Sequence, residues 1–401
     1  MSRINAALAV SLALLPPVRL CADGPPNSAK LAAPADRLAA LVAEQQKAQS
    51  EFSSAYKSAG TEADRKTLLE NSHCSPQEFA PRFLALAREF PTDPAALEAY
   101  RWIITRASNI PEAKTAADLV IQDWVSDSRL ETLCKSLVYH SGEAGNRVLR
   151  AAIEKSPHRP VQGNARYSLA TALRKDADRR TAGGHVPVRL QAQVDEAERL
   201  FKEVIDGYAE LKFLPTLGKA AEADLYEMKN LSIGKAAPEF EGGTLDGKPV
   251  KLSDYRGKVL LVVFWGTWCG PCMADLPHEQ ELFKKYDGRP FTILGIDCGD
   301  KRAKAVKTCA DKGVTFPSVW DGESSDGPVQ KQSNVRGWPT LYLLDTKGVI
   351  RFKGDYLRGR TQRKLPGKDW EAVVFLDESV ELLVKEAESE IAVHKLEKSR
   401  P

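Results

Sequence analysis

Residues 259–276 read VLLVVFWGTWCGPCMADL, and this stretch decides the fold of the C-terminal half of the chain. The apolar, β-branched run that opens it is typical of a strand buried on both faces. The run leads into Cys269 and Cys272, which are separated by Gly-Pro. Because proline lacks an amide hydrogen and has a fixed φ, Pro271 suits the first turn of a helix. We therefore expect both cysteines at a strand-to-helix junction.

Strand and helix signals alternate around this stretch. Asp246-Gly247 is a hairpin turn signal between two short strand signals. After the cysteines the predicted elements are a helix to about residue 286, a strand over 291–297, a helix over 303–312, a strand near residue 319, a helix over 329–335, strands over 341–345 and 350–353, and a last helix from about 370 to 391. This alternation predicts an α/β sheet covered by helices.

The region before it has helical periodicity, with Ala and Leu recurring at spacings of three and four. Pro94 and Pro160 lie 66 residues apart, and half that spacing falls on a break at Asp127. A period of 33–34 residues is similar to that of tetratricopeptide-type repeats. An irregular helical bundle is the alternative. Both interpretations predict an all-α domain that offers a surface for partners and carries no evident chemistry.

The N-terminus has the layout of a secretory signal. Arg3 precedes an apolar run over 6–15, two prolines follow, and small residues surround a plausible cleavage point after Ala22. An uncleaved anchor or a cytosolic tail is the alternative. We therefore predict an exported protein of the periplasm or cell envelope. The predicted segments are a signal peptide over 1–22, a linker over 23–35, the helical domain over 36–230, the α/β domain over 231–391 and a C-terminal tail over 392–401.

Length and charge restrict the function classes. A chain of 401 residues exceeds the usual size of a single core, so two folded domains are expected. The net charge of +3 is too close to balance to indicate a nucleic-acid partner, which would need a clustered basic face.

Seven cysteines are present, and removal of residues 1–22 would leave six. Cys74 and Cys134 lie in the helical region, and Cys298 and Cys309 follow the active stretch. For each pair, a structural disulfide and two buried thiols both stay open. The histidines are scattered without metal-ligand spacing, so we predict no metal site.

The resemblance to a known family rests on three stretches. They are APEFEGGTLDGKPVKLSDYRGKVLLVVFWGTWCGPC at 237–272, Asp-Leu-Pro at 275–277, and VRGWPTLYLLDTKGVI at 335–350. Over about residues 233–390 the chain resembles the thioredoxin superfamily, and within it the exported TlpA/ResA-like branch. The resemblance implies a thioredoxin-like fold and thiol-disulfide exchange that uses two cysteines and no cofactor.

The two cysteines differ in position. A thiolate, not a thiol, attacks a disulfide. Cys269 sits where the first helical amides point outward, so the helix dipole favours its anion. We therefore expect Cys269 to attack and Cys272, one turn further in and less exposed, to resolve the mixed disulfide. Gly270 and Pro271 stiffen the turn and help to set the redox potential.

The resemblance implies further site residues. Pro339 corresponds to the cis-proline that faces the two sulfurs, and the backbone of Trp338 would pair with an extended substrate segment. Trp268, Gly270, Pro271 and Thr340 complete the predicted substrate-binding set.

An acid for the resolving step is also implied. Thioredoxin itself carries a buried Asp at the position of Val263, whereas the TlpA/ResA-like branch places an acid where Asp275 stands. A solvated helix carboxylate is the alternative for Asp275. Pro277 corresponds to a proline that kinks the active helix; a simple helix end is the alternative.

These features predict an oxidoreductase that reduces disulfides of protein partners and is recharged by a membrane or envelope electron donor. Three rivals are considered. A peroxiredoxin-type peroxidase would need Pro at Val262 and Thr at Gly266, and both are absent. A disulfide oxidase or isomerase differs only in potential. The third rival is a helical interaction scaffold whose redox site is regulatory.

Overall fold

The computed structural model describes residues 33–140, 142–181, 187–213, 215–324, 326–354, 360–364 and 370–398. The predicted signal peptide and most of the predicted linker lie outside these ranges. The first helix begins at Pro34, two residues inside the predicted linker. Proline is well tolerated at the first helical position, so Pro34 starts the helix instead of extending the linker.

The N-terminal domain is helical, as predicted. Its helices are α1 (Pro34–Ser58), α2 (Glu62–Glu70), α3 (Pro76–Glu89), α4 (Pro94–Arg106), α5 (Pro111–Asp123), α6 (Leu130–Ser136), α7 (Glu143–Lys155), α8 (Arg159–Arg180), α9 (Val188–Tyr208) and α10 (Leu217–Asn230), with a 3₁₀ turn at Leu137–Tyr139. Neighbouring helices pack along the chain, α3 on α4, α7 on α8 and α8 on α9. The buried face includes Phe83 stacked on Trp102.

The 33-residue spacing coincides with helix starts. Pro94 is the first residue of α4, Asp127 lies in the turn before α6, and Pro160 is the second residue of α8. Those three helices contain 13, 7 and 22 residues. Because units of one repeat family have similar lengths, the tetratricopeptide-type interpretation stays a prediction.

The C-terminal domain is an α/β fold, which confirms the predicted class. Its elements are β1 (Glu241–Gly243), β2 (Pro249–Lys251), β3 (Val259–Trp265), α11 (Gly270–Lys285), β4 (Phe291–Asp297), α12 (Arg302–Lys312), β5 (Ser318–Trp320), α13 (Pro328–Gln332), β6 (Thr340–Leu344), β7 (Ile350–Lys353), β8 (Arg360–Lys364), β9 (Trp370–Val374) and α14 (Phe375–Lys398).

A five-stranded mixed sheet with the order β5-β4-β3-β6-β7 forms the centre of this domain. Strands β3, β4 and β5 are parallel, while β6 is antiparallel to β3 and to β7. Alternate side chains of β3 enter two different apolar clusters, with Leu261 and Val263 on one face and Val262 and Phe264 on the other. The strand is therefore buried on both faces, as its composition predicts.

The predicted boundaries of two helices were wrong, those of α13 and of the last helix. Helix α13 ends at Gln332 instead of residue 335, and Asn334 adopts a left-handed φ of 48° that a helix cannot include.

At the C-terminus, residues 370–374 form β9 and the last helix extends to Lys398, so the predicted tail from residue 392 is wrong. The β-branched and aromatic composition of 370–374 favours a strand. The absence of Gly and Pro from 375–398 lets the helix continue.

The sheet places the active stretch beside a loop that is remote in sequence. Because β6 runs antiparallel to β3, its first residue Thr340 pairs with Phe264 near the end of β3. The segment before β6 therefore lies next to the start of α11. Within the described ranges, no helix has the length and apolar character needed to cross a membrane.

Candidate active site

Cys269 and Cys272 form a disulfide, with an S–S distance of 2.09 Å and a Cα–Cα distance of 5.3 Å. Cys269 is the N-cap of α11, and Pro271 lies in the first turn. The backbone amide of Cys272 donates a hydrogen bond to Cys269 Sγ at 3.2 Å. After reduction, the same amide and the helix dipole would stabilise a Cys269 thiolate. The strand-to-helix junction that the sequence predicts is confirmed.

The exposure of the two cysteines differs from expectation. Cys269 is 4% exposed and Cys272 is 3% exposed, so both are buried to nearly the same extent. We expected Cys272 to be clearly less exposed because it lies further into the helix. Exposure therefore does not distinguish the two sulfurs in this disulfide form. What distinguishes them is the position at the helix start, where only Cys269 caps the helix.

The segment before β6 packs against the apolar cluster that contains the disulfide. The Trp338–Pro339 peptide bond is cis, as the resemblance implies. The Trp338 ring packs edge-on against the Trp268 ring, with centroids 5.0 Å apart. Trp338 also packs against the apolar cluster that contains both cysteines. We call residues 333–340 the Trp338 loop. Two of the predicted substrate-binding residues, Trp268 and Trp338, are thus in contact, and within the loop Thr340 Oγ1 donates to the Gly337 carbonyl at 2.8 Å.

Trp268 and its neighbour are fixed by the segment that follows β4. The Trp268 indole donates to the Cys298 carbonyl at 2.9 Å, yet the residue remains 47% exposed. Asp300 accepts hydrogen bonds from Thr267 N and Thr267 Oγ1, both at 2.6 Å. Burial alone would raise the pKa of Asp300, but these hydrogen bonds and Lys304 lower it. Asp300 was not predicted: its position just after a predicted strand is a weak signal, and its contact with Thr267 is a tertiary one.

Helix α11 carries the remaining predicted residues. Asp275 is half-buried one turn after Cys272, and a spacing of three residues places both on one helix face. Pro277 lies inside α11, which continues to Lys285, so the interpretation of Pro277 as a helix end is wrong. Val263 is buried in the cluster that contains the cysteines, where it supplies only apolar contact.

Comparison with known proteins agrees with this geometry. Residues 233–353 match the AhpC/TSA family. The thiol-disulfide oxidoreductase ResA of Geobacillus thermodenitrificans is 33% identical over 142 residues, which are 35% of this chain and 80% of that protein. The chain belongs to the ResA family of thiol-disulfide oxidoreductases.

Two further relatives resemble this ResA-like domain. The thioredoxin-like protein YneN of Bacillus subtilis is 36% identical over 130 residues, covering 31% of this chain and 74% of that protein. A solved structure of a thiol-disulfide oxidoreductase from Bacteroides fragilis is 26% identical, covers 30% of this chain and 93% of that chain, and has a TM-score of 0.29.

In this ResA-family chain, the other cysteines that the structure describes are free thiols. Burial raises the pKa of Cys134 to about 12 and that of Cys309 to about 11. Burial also raises the pKa of Cys298, although Trp338 acts in the opposite direction. Of the two alternatives left open for each pair, the structure contains free thiols: Cys74, Cys134 and Cys298 are buried, and Cys309 is partly exposed.

Proposed function

We propose that this protein reduces disulfide bonds of protein partners outside the cytoplasm with the Cys269–Cys272 couple. The observation that carries the proposal is the position of Cys269. Its sulfur caps α11, accepts the Cys272 amide and lies beside the exposed Trp268 ring. The ResA relatives support the class of reaction, and the direction is our proposal.

In the first step, the Cys269 thiolate attacks one sulfur of a substrate disulfide. A Cys269–substrate disulfide forms, the substrate S–S bond breaks, and the second substrate sulfur leaves as a thiolate that takes a proton from solvent. The amide at the helix start lowers the cost of forming the Cys269 thiolate. Cys269 is therefore the proposed nucleophile.

In the second step, Cys272 resolves the mixed disulfide. Its thiol loses a proton and the resulting thiolate attacks Cys269 Sγ. The Cys269–substrate S–S bond breaks, and the released substrate thiolate takes a proton from solvent, which leaves the substrate as a dithiol. Two electrons have then passed from the protein dithiol to the substrate, and the Cys269–Cys272 disulfide of this structure is the product. We propose that Asp275, on the same face of α11 as Cys272, accepts the proton.

The surface around the sulfurs fits an extended protein segment. Trp268 and Trp338 form an aromatic pair next to Cys269, which favours apolar side chains near the substrate cysteine. The exposed Gly270 and Pro271 leave the other side of the turn accessible. We propose that the Trp338 backbone pairs with the substrate main chain.

Export and redox partners follow from the same proposal. The predicted signal peptide would deliver the protein to the periplasm or cell envelope, where structural disulfides occur. There a dithiol donor of the membrane or envelope would reduce Cys269–Cys272 again. The helical domain, with or without true tetratricopeptide-type repeats, would offer a surface for partners.

The test is the reduction potential of the Cys269–Cys272 couple, measured by equilibration with glutathione, together with insulin reduction in the presence of dithiothreitol. A potential near about −270 mV, as in thioredoxin, with clear insulin turnover is expected for a reductant. A value near about −120 mV would instead indicate an oxidase. Absence of insulin turnover by the wild-type protein would argue against the proposed function.

A further inference from the structure

Charged side chains from both domains meet at the domain interface. We call the following six residues the interface cluster: Arg174, Asp178, Asp224 and Glu227 from the helical domain, and Arg336 and Lys353 from the α/β domain. The helical domain contributes three carboxylates and one guanidinium, a net charge of −2. The α/β domain contributes two cations. The charges balance only when the two domains are together.

Much of the interface cluster is removed from water. Asp224 is 3% exposed and Arg174 is 8% exposed. Burial opposes ionisation of Glu227, but Arg174 and Lys353 outweigh it and lower the pKa of Glu227 to about 2. Glu227 is therefore ionised at neutral pH. A buried carboxylate without its cationic partner would strongly destabilise the folded protein. The buried carboxylates of the helical domain are therefore stable only when Arg336 and Lys353 of the α/β domain lie beside them.

Helix α10 of the helical domain contacts the Trp338 loop and the residue before it. The hydrogen bonds are Tyr226 Oη to the Gln332 carbonyl at 3.0 Å, Asn334 Nδ2 to the Ala223 carbonyl and to Glu227 Oε2, both at 3.1 Å, and Arg336 Nη2 to Asp224 Oδ1 at 2.9 Å. All four hydrogen bonds involve residues of one five-residue stretch, 332–336. Helix α10 therefore holds the loop along its length up to Arg336.

The contact continues from α10 to the sulfurs. Arg336 is two residues before Trp338, and the Trp338 ring rests on Trp268, the neighbour of Cys269. Asn334 has a left-handed φ of 48°, and its side chain donates two hydrogen bonds to α10. Asparagine tolerates this conformation, and its amide group links the turn to the helical domain. The loop that faces the active site is thus fixed from the other domain.

We infer that helix α10 positions the Trp338 loop for protein substrates, with Asp224 and Glu227 as positioning residues. The inference rests on the proposed function, because it concerns the substrate-facing loop of the same site. A loop that is already ordered costs less conformational entropy when a protein segment binds to it. A small disulfide that reacts directly with Cys269 does not use the loop. The helical domain therefore acts on recognition of protein substrates and leaves the sulfur chemistry unchanged.

The test compares two substrates of the full chain. Asn334→Gly removes the two bonds to α10 and keeps the left-handed backbone accessible, and Arg336→Gln removes the contact with Asp224. For both variants we expect the KM for insulin to rise about fivefold, with kcat within about twofold. The rate at which the reduced protein reacts with 5,5′-dithiobis(2-nitrobenzoate) should stay at the wild-type value. Arg336→Lys keeps the charge and should restore part of the KM.

Asp224→Asn removes the same contact from the α10 side. Because Asp224 and Arg336 bond to each other, the double mutant Asp224→Asn/Arg336→Gln should raise KM less than the two single effects combined. If Asp224→Asn does not fold, Asn334→Gly carries the test, because the Asn334 side chain is only half-buried and carries no charge. Glu196→Gln is the matched control, since it breaks the Arg150 pair between α7 and α9, and its KM should not change.

Three outcomes would overturn the inference. The first is a wild-type insulin KM in folded Asn334→Gly and Arg336→Gln. The second is an equal loss with the small disulfide, which would mean that the sulfur site itself is disturbed. The third is a wild-type protein that reduces the small disulfide and not insulin, which would overturn the proposed function together with this inference.

Discussion

Cys269 and Cys298 lie in the same domain and are both buried, with 4% and 0% of their surfaces exposed, yet their surroundings differ in kind. Cys269 caps a helix, and its sulfur accepts a backbone amide. Cys298 follows a strand, and its thiol donates to the Ile296 carbonyl at 3.2 Å. An amide donor favours the thiolate, whereas a carbonyl acceptor favours the protonated thiol. Burial raises the pKa of Cys298 and keeps its thiol protonated, whereas the amide at the helix start favours the Cys269 thiolate despite similar burial.

Cys298 still contributes to the site through its backbone. Its carbonyl accepts the Trp268 indole, so the residue helps to orient the ring beside Cys269. This role needs no particular side chain. The comparison therefore predicts that replacing the Cys298 sulfur is tolerated, whereas replacing the Cys269 sulfur is not.

The largest expected effect is the difference in activity between a variant that lacks the Cys269 sulfur and one that lacks the Cys298 sulfur. Cys269→Ser should lower insulin reduction by about a thousandfold or more, because a serine hydroxyl does not form a disulfide. Cys298→Ala should stay within about twofold of wild type, since it removes one buried atom and keeps the carbonyl. Turnover of both purified variants is measured with dithiothreitol as electron source. Full activity of Cys269→Ser would end its assignment as nucleophile.

The resolving cysteine gives the next effect. Cys272→Ser should still attack substrates through Cys269 but leave the mixed disulfide unresolved, so covalent complexes with envelope proteins should accumulate. Non-reducing electrophoresis measures them, and the complexes should disappear on addition of dithiothreitol. Cys272→Ser combined with Cys269→Ser is the control and should trap nothing. Recovery of no complexes, while the helical domain retains a non-covalent partner, would favour the scaffold interpretation.

Alkylation rates compare Cys269 with another free thiol of the same domain, Cys309, without any mutation. Because burial raises the pKa of Cys309 to about 11, only about one thiol in a thousand is ionised at pH 8. In the reduced protein, iodoacetamide should therefore modify Cys269 about a hundredfold faster than Cys309. Mass spectrometry of peptides after timed quenching measures both rates. Comparable rates would show that the helix start does not activate Cys269.

The features that sequence could predict are the local ones. The spacing of Cys269 and Cys272, the preceding apolar strand and Pro271 lie within one short stretch, so propensity and chemistry act on neighbouring residues. The role of Pro339 came only from the family resemblance, because β6 has to pair with β3 before the loop meets the sulfurs.

The features that sequence missed depend on contacts between distant residues. Asp224 and Arg336 are 112 positions apart, and in the sequence nothing distinguishes either residue from an ordinary charged residue on the surface. Asp300 became visible only once the end of β4 was placed beside Thr267. The equal burial of the two active cysteines is also a tertiary effect, because both belong to an apolar cluster built from residues distant in sequence.

Asp275 offers a smaller effect that concerns only the second step. Asp275→Asn removes the proposed proton acceptor and should slow resolution about tenfold near pH 7, without changing the first attack. Stopped-flow measurement of the mixed disulfide separates the two rates. Raising the pH should restore part of the rate, because hydroxide then deprotonates Cys272. Asp311→Asn, at an exposed position on α12, is the matched control. Unchanged resolution would make Asp275 a solvated carboxylate.

The last effect concerns stability and not turnover, and it involves Asp297, which precedes Cys298 and shares its burial. Burial and then the neighbouring Asp300 carboxylate raise the pKa of Asp297 to about 8. An unfolded aspartate ionises near pH 3.8, so between about pH 4 and pH 8 the folded state holds one more proton than the unfolded state. Stability should therefore fall as pH rises through this window, by at most about 1.4 kcal/mol per pH unit.

Asp297→Asn should remove this pH dependence, because the amide stays neutral in both states. Urea unfolding at pH 5 and pH 8 measures it: the wild-type midpoint should be lower at pH 8, and the variant should show a smaller difference. Asp311→Asn should behave like wild type. Parallel pH profiles of wild type and Asp297→Asn would mean that Asp297 is ionised in the folded protein. In that case burial alone would not suppress ionisation at this strand end, and the protonation of Cys298 would depend on its hydrogen bond to Ile296.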